Sequence, residues 1–177
     1  MNYYVVQVRA RREEKYLSQA RELCNGREIA LFWPRRELRL RKTGIWRETI
    51  ASIFPGYIFL ETKAIDTPLY KLLKKIPSFI RFLKSSTDIT PLGGKDLELI
   101  RHFILQNEIV KKSLVTFDSN QRVQILEGPL KGLEGLIVKV DKRKKRIKVK
   151  LALYEDSFTI DFGYESVENT GKSGGKG

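Results

Sequence analysis

Apolar residues recur along this chain in two rhythms, one of period two and one of three to four. Residues 3 to 9, Tyr-Tyr-Val-Val-Gln-Val-Arg, are β-branched and aromatic and predict a strand. From Arg11 to about Cys24 the spacing lengthens, with Tyr16, Leu17, Ala20 and Leu23 on one stripe, which predicts a helix ended by Asn25-Gly26. Ile29 to Trp33, Glu37 to Leu40 and Trp46 to Ile50 read as extended segments, the last two joined by a loop around Lys42-Thr43-Gly44. Next comes Phe54-Pro-Gly-Tyr-Ile-Phe-Leu60, where a Pro-Gly break opens a strand with Tyr57 and Phe59 on one face and Ile58 and Leu60 on the other. Both faces are apolar. Such a strand is either buried on both sides or offers one face to the core and the other to a partner. Pro68 to Lys75 predicts a short helix, Ser78 to Lys84 a strand, and Pro91 to about Asn107 a helix carrying Leu97, Ile100, Ile104 and Leu105. Strand and helix thus alternate over about one hundred residues, which predicts an α+β domain with a sheet covered by helices.

The texture changes near residue 110. Beyond Phe117 the segments 122–126, 133–140, 146–153, 157–161 and 166–167 read as short strands bounded by Gly, Pro or polar turns, spaced for a small all-β barrel. The expected organisation is therefore 1–108 as the first domain, 109–118 as a linker, 119–168 as the barrel, and 169–177 as a disordered tail rich in Gly, Ser and Lys.

Charge adds a partner to this picture. The 177 residues carry a formal net charge of +13, which implies a polyanionic neighbour, with nucleic acid the first candidate because cations bound to phosphates release condensed counterions. No stretch approaches the roughly 18 apolar residues that span a bilayer, and the chain opens directly into a strand pattern, so a cytoplasmic location without membrane association is expected. One run stands out: Lys139 to Lys150 holds eight basic residues against Asp141 alone, with Arg146, Lys148 and Lys150 alternating with Ile147, Val149 and Leu151. One face of that strand is cationic and the other belongs to the core. A second basic arm carries Arg35, Arg36, Arg39, Arg41, Lys42 and Arg47.

Catalytic chemistry finds no support. Cys24 is the single cysteine and His102 the single histidine, so neither a disulfide nor a Cys/His metal cluster can be assembled, and no metal or cofactor is expected. Cys24 reads as a small buried hydrophobe and His102 as a helix-surface residue. Glu155 and Asp156 read as a solvated turn, and Gly128-Pro-Leu-Lys-Gly132-Leu-Glu-Gly135 lacks the spacing and the following helix of a phosphate loop. No nucleophile, base and orienter can be named, and the chain is not expected to be an enzyme.

Three motifs in order resemble one family. Tyr3-Tyr-Val-Val-Gln7 is similar to the opening motif of the NusG family of transcription elongation factors, Phe54-Pro-Gly-Tyr-Ile-Phe59 to its most distinctive aminoterminal motif, and Val123 to Asp141 to its KOW motif. The resemblance implies an α+β NGN domain followed by a small SH3-like KOW barrel, acting as a monomer. It implies that the NGN domain docks on the clamp helices of the large RNA polymerase subunit through an apolar site, which on this sequence draws on Tyr3, Tyr4, Phe54, Pro55, Tyr57 and Phe59. Arg9, Arg12, Lys15 and Lys74 look like the positions at which specialised relatives face nontemplate DNA. The basic barrel, through Lys131, Lys139, Lys142, Arg143, Lys144, Lys145, Arg146, Lys148 and Lys150, is expected to bind an RNA hairpin by shape and phosphates.

The family's Phe-Gly-Arg turn, through which the housekeeping factor contacts Rho or the ribosome, corresponds here to Tyr154, Glu155 and Asp156. Acids at that turn, together with the basic arms, look more like a LoaP-type antiterminator recruited by structured leader RNA. The alternatives are a general elongation factor coupled to Rho or the ribosome, and a ribosome-associated KOW protein that binds RNA only. Gly128, Pro129, Gly132 and Gly135 argue for a barrel rather than a helical carboxy-terminal domain, leaving the docking strand open.

Overall fold

The computed structural model describes residues 1–84, 87–154 and 156–167. The chain forms two compact units, each discontinuous in sequence. The first comprises Met1–Arg35, Ala51–Val110 and Ala152–Phe158; the second comprises Arg36–Ile50, Lys111–Leu151 and the described part of Thr159–Gly177. Among the described residues no helix is long and apolar enough to cross a membrane. The tail 169–177 lies outside the described residues.

The first unit is a four-stranded sheet with helices. Its strands are β1 (Asn2–Val8), β2 (Ala30–Phe32), β5 (Tyr57–Thr62) and β6 (Phe79–Phe82), in the order β2-β5-β1-β6. The recorded pairings are antiparallel, with Val5 opposite Phe59 and Val6 opposite Ile58. Since side chains alternate faces, this register puts Tyr4, Val6, Ile58, Leu60 and Leu31 together on one side. They pack there against Tyr16, Leu17 and Ala20 of helix α1 (Glu13–Leu23) and Leu69 and Leu73 of helix α2 (Thr67–Lys74). The Tyr16 hydroxyl donates to Leu73 O at 3.2 Å and ties the two helices together. Asp66 caps α2 by accepting from Leu69 N–H at 2.8 Å, so that the helix begins at Thr67, one residue before the expected start. Helix α3 (Gly94–Ile104) is shorter than the apolar spacing predicts, and Leu105 beyond its end is 80% exposed.

The second unit contains most of the five-stranded sheet β10-β11-β12-β8-β9, formed by β8 (Ser113–Phe117), β9 (Val123–Glu127), β10 (Ile137–Asp141), β11 (Arg146–Leu153) and β12 (Asp156–Ser166), with the ends of β11 and β12 over Ala152–Phe158 counted in the first unit. Val115, Ile125, Ile147, Val149, Leu151, Phe162 and Tyr164 form its buried side. Two differences from expectation stand out. Residues 109–118 hold strands β7 (Ile109–Val110) and β8, because Val115 and Thr116 bury in the sheet despite the polar lead-in Lys111-Lys112. The expected segment 157–161 runs on through Gly163 to Ser166 as one long strand, and Val167 lies just beyond its end. A Cβ at Gly163 would lie 3.0 Å from Glu37 O, so the glycine serves a close backbone approach within this unit.

Strands β3 (Arg35–Lys42) and β4 (Ile45–Ser52) form a hairpin. Thr43 and Gly44 at its tip have φ of 50° and 82°, the positive values that a two-residue type I′ turn requires.

Candidate functional site

The Pro55-Gly56 turn sets up the aromatic face. Gly56 has φ of 82°, and a Cβ there would sit 3.0 Å from Val8 O, so only glycine fits without strain. Its N–H donates to Glu13 Oε1 at 2.7 Å, and its carbonyl accepts from Val8 N–H at 2.8 Å. Glu13, 3% exposed, is a site-supporting residue that sequence reasoning passes over, because an acid in a first helical turn ordinarily faces water. The turn aims Phe54 across the strand, edge-on to Phe59 at 5.8 Å and to Phe103 of α3 at 6.2 Å. Tyr3 lies on this same face, stacked on Phe32 at 6.3 Å with the Arg101 guanidinium 5.4 Å from its ring. Burial, and next the Glu61 carboxylate, raise its phenol above the ordinary value. Tyr4 does not join them. It points into the opposite face among Ile58 and Leu60, as the alternation of β1 dictates. Pro55 is exposed at the turn.

The strand expected to dock is covered, contrary to the expectation that it is open. Phe54, Tyr57 and Phe59 are buried, and Phe158 from the Ala152–Phe158 segment of the same unit sits edge-on to both Phe54 and Tyr57, 5.5 Å from each ring. Such edge-to-face pairs add about 0.5–1.5 kcal/mol each beyond area burial. Tyr154 fastens the segment. Its hydroxyl donates to Thr90 O at 2.9 Å and its N–H to Asp96 Oδ2 at 3.1 Å, with φ of 48°. Burial, and then the neighbouring Asp96 carboxylate, push the Tyr154 phenol up to about 12. Burial and the Asp156 carboxylate, to which it is hydrogen-bonded, raise the Tyr57 phenol against the pull of Arg81. A cavity of about 410 Å³ beside the segment is lined by Arg81, Leu83, Lys84, Asp96, Tyr154 and Asp156. Within the turn Tyr154-Glu155-Asp156, Glu155 lies outside the described residues.

Arg9, Arg12, Lys15 and Lys74 are all exposed. Arg9 N–H donates to Ser78 O, Arg12 N–H donates to Arg9 O, and the Tyr16 to Leu73 bond joins the start of α1 to the end of α2. The four cations therefore share one end of the first unit, with the Lys74 ammonium 5.7 Å from the Tyr70 ring.

In the second unit the alternation of β11 holds: Ile147, Val149 and Leu151 are fully buried. The nine basic residues expected to bind RNA fall into two groups. Lys139, Arg143, Lys144, Lys145 and Lys150 are exposed, and Lys144 N–H donates to Asp141 Oδ1 at 2.9 Å to shape the hairpin tip. The other four have internal partners. Lys131 Nζ donates to Ile125 O at 3.0 Å, and Lys142 bonds Gln121 with its ammonium 4.4 Å from the Phe117 ring. Arg146 bonds Arg39 O and pairs with Asp161 at 3.6 Å, and Lys148 lies 3.9 Å from the same carboxylate. Arg36 sits among them, 9% exposed, its Nε donating to Asp161 O and its guanidinium 5.6 Å from the Phe162 ring. Burial pushes this guanidinium down to about 10, with Asp161 opposing and Arg146 assisting. The buried positions Arg36 and Leu38 alternate along β3, and that period of two was the available signal.

Residues 1–101 match the family described as transcription termination factor nusG, and residues 120–150 match the KOW motif. Among curated proteins, the chain is 28% identical to the transcription termination/antitermination protein NusG of Borreliella burgdorferi, over 94% of this chain and 97% of that protein. It is 23% identical to the protein of that name from Buchnera aphidicola, over 89% of this chain and 84% of the relative. Among solved structures, one described as domain interaction in Thermotoga maritima NusG superposes with a TM-score of 0.59 at 19% identity, covering 92% of this chain and 93% of that one, a likeness of fold.

Proposed function

Because this chain belongs to the NusG family of transcription termination/antitermination factors, we propose that it is an antitermination and elongation factor that docks on the clamp helices of RNA polymerase through the aromatic face of its first unit. It acts by binding and catalyses no reaction. The observation that carries this reading is the seat between Phe54 and Tyr57, which receives one aromatic ring edge-on, at present that of Phe158. An apolar side chain of the polymerase fits the same seat once the Ala152–Phe158 segment withdraws. Holding the clamp closed then disfavours the opening that accompanies pausing and termination. The cations Arg9, Arg12, Lys15 and Lys74, gathered at one end of the unit, face the nontemplate strand in this reading.

The second unit contributes recruitment. Its exposed lysines and Arg143 bind a structured leader RNA, as in a LoaP-type factor, through phosphates and groove shape. The turn at Tyr154 supports a specialised role, since its tyrosine is engaged with Thr90 and Asp96 and its acid reverses the charge of the family's Arg.

Single-round transcription through a terminator tests both halves, with and without candidate leader RNA. Tyr57→Ala is expected to weaken polymerase binding by about tenfold or more, as loss of a central aromatic anchor does, and to abolish readthrough. Replacing Lys142, Arg143, Lys144 and Lys145 with Ala should remove the leader-dependent part alone. Polymerase binding and readthrough indifferent to Tyr57→Ala would sink docking through this face, and no polymerase binding by the wild type would favour a protein that binds RNA only.

A further inference from the structure

The basic hairpin of β3 and β4 lies about one hundred residues before the cationic run of β10 and β11 and reads in the sequence as part of the first domain. In space residues Arg36–Ile50 belong to the barrel unit. Several contacts fix the hairpin there. Arg146 donates to Arg39 O, and Arg36 donates to Asp161 O while covering Phe162. Lys112, whose side chain is 15% exposed, pairs with Glu48 at 2.7 Å. Glu37 O comes close enough to Gly163 that a Cβ there would be 3.0 Å away. Partly buried, hydrogen-bonded ion pairs hold geometry far better than exposed ones.

Past these anchors the hairpin presents Arg41, Lys42 and Arg47 to solvent. On the barrel side, a cavity of about 90 Å³ is lined by Lys139, Lys144, Arg146 and Lys148 against Asp141 and Asp161. Arg146 is common to both, since its guanidinium lines the cavity and bonds the hairpin backbone. Asp141 accepts from the Lys144 N–H and shapes the hairpin tip, while Asp161 pairs with Arg146 and Lys148 and so orients those two cations at the cavity.

We propose that the two hairpins form one composite RNA-binding face, gripping the backbone of a folded A-form RNA from two sides with a phosphate seated among Lys139, Lys144 and Lys148. The proposal rests on the RNA reading above and adds the β3–β4 hairpin to it. Base stacking is a poor alternative on this face, because one side of the Trp46 ring is already taken by Arg39 at 5.5 Å. Cations on two arms beside an engaged aromatic ring suit a helical backbone better than a single strand.

Fluorescence anisotropy of the full chain provides the test, using as probes a 14-base-pair RNA hairpin of arbitrary sequence, the same hairpin in DNA, and a single-stranded oligouridine. The RNA hairpin should bind tightest. The triple variant Arg41→Ala/Lys42→Ala/Arg47→Ala should lose about tenfold in affinity and flatten the slope of log affinity against log salt by about 2 to 3, close to 0.9 per phosphate contact removed. Lys139→Ala/Lys144→Ala should act in the same direction, and both sets replace exposed side chains, so unchanged thermal unfolding verifies the fold. Wild-type affinity and salt slope in the triple variant, alongside a loss in the variant with residues 142–145 replaced, would overturn the composite face while leaving RNA binding intact. Equal affinity for the DNA hairpin or the oligouridine overturns the assignment to A-form RNA. Absence of RNA binding by the wild-type chain overturns the underlying RNA reading itself.

Discussion

Glu13 is a carboxylate almost without solvent, and its task is to satisfy one backbone donor. The Gly56 N–H that it accepts belongs to the turn that aims Phe54 and Tyr57, so a single hydrogen bond connects the first turn of α1 to the aromatic face. Truncation leaves that amide buried and unpaired, which costs about 1–3 kcal/mol. Glu13→Ala should therefore lower the urea-unfolding free energy by about that amount, and Glu13→Gln, which keeps an acceptor oxygen, by less. A fully stable Glu13→Ala protein would show that water replaces the carboxylate. The turn itself was legible, because Pro-Gly punctuates any chain. Its partner, 43 residues earlier, was not, since nothing in Arg12-Glu13-Glu14 separates the acid that turns inward from the one that stays in water.

At the scale of elements, periodicity was a sound guide wherever one face is buried. In β5 the two faces separate as alternation requires, with Ile58 and Leu60 together in the core cluster, and in β11 the cationic and apolar faces separate as read. The readings that failed have both local and remote causes. Tyr4 was placed beside the docking face although β1 alternates it into the core, and β8 was hidden behind two lysines. The covering of Tyr57 by Phe158 could not be seen in either segment alone, since each reads as an ordinary strand. Tyr154, the fastener of that covering segment, gives it a pH dependence. Its phenol titrates at about 12 in the folded chain, above the ordinary value of 10, so the folded state keeps a proton that the unfolded state has lost. The contribution is complete below about pH 10 and declines as pH rises from there toward 12. Urea midpoints measured across that window should fall for the wild type, and Tyr154→Phe should reduce the fall. Parallel curves for the two proteins would show that other groups govern the alkaline limb.

For the molecule as a whole, the net charge of +13 acts beyond any one contact. A chain that neutralises about six phosphates should lose about a thousandfold in affinity for an RNA hairpin between 50 and 200 mM salt, and a near-flat salt response would exclude a phosphate-dominated interface. The discontinuity of the two units has a consequence of another kind, in the order of assembly. Arg36 meets its acceptor on Asp161 across 125 residues, and Arg146 reaches Arg39 across 107. The loop between such partners must be closed before their contacts stabilise anything, which slows folding. During synthesis the β3–β4 hairpin leaves the ribosome long before the strand it rests on exists, and until β12 emerges its buried arginine has nowhere to go but water. The basic arm is thus among the first parts of this protein to be made and among the last to find its place.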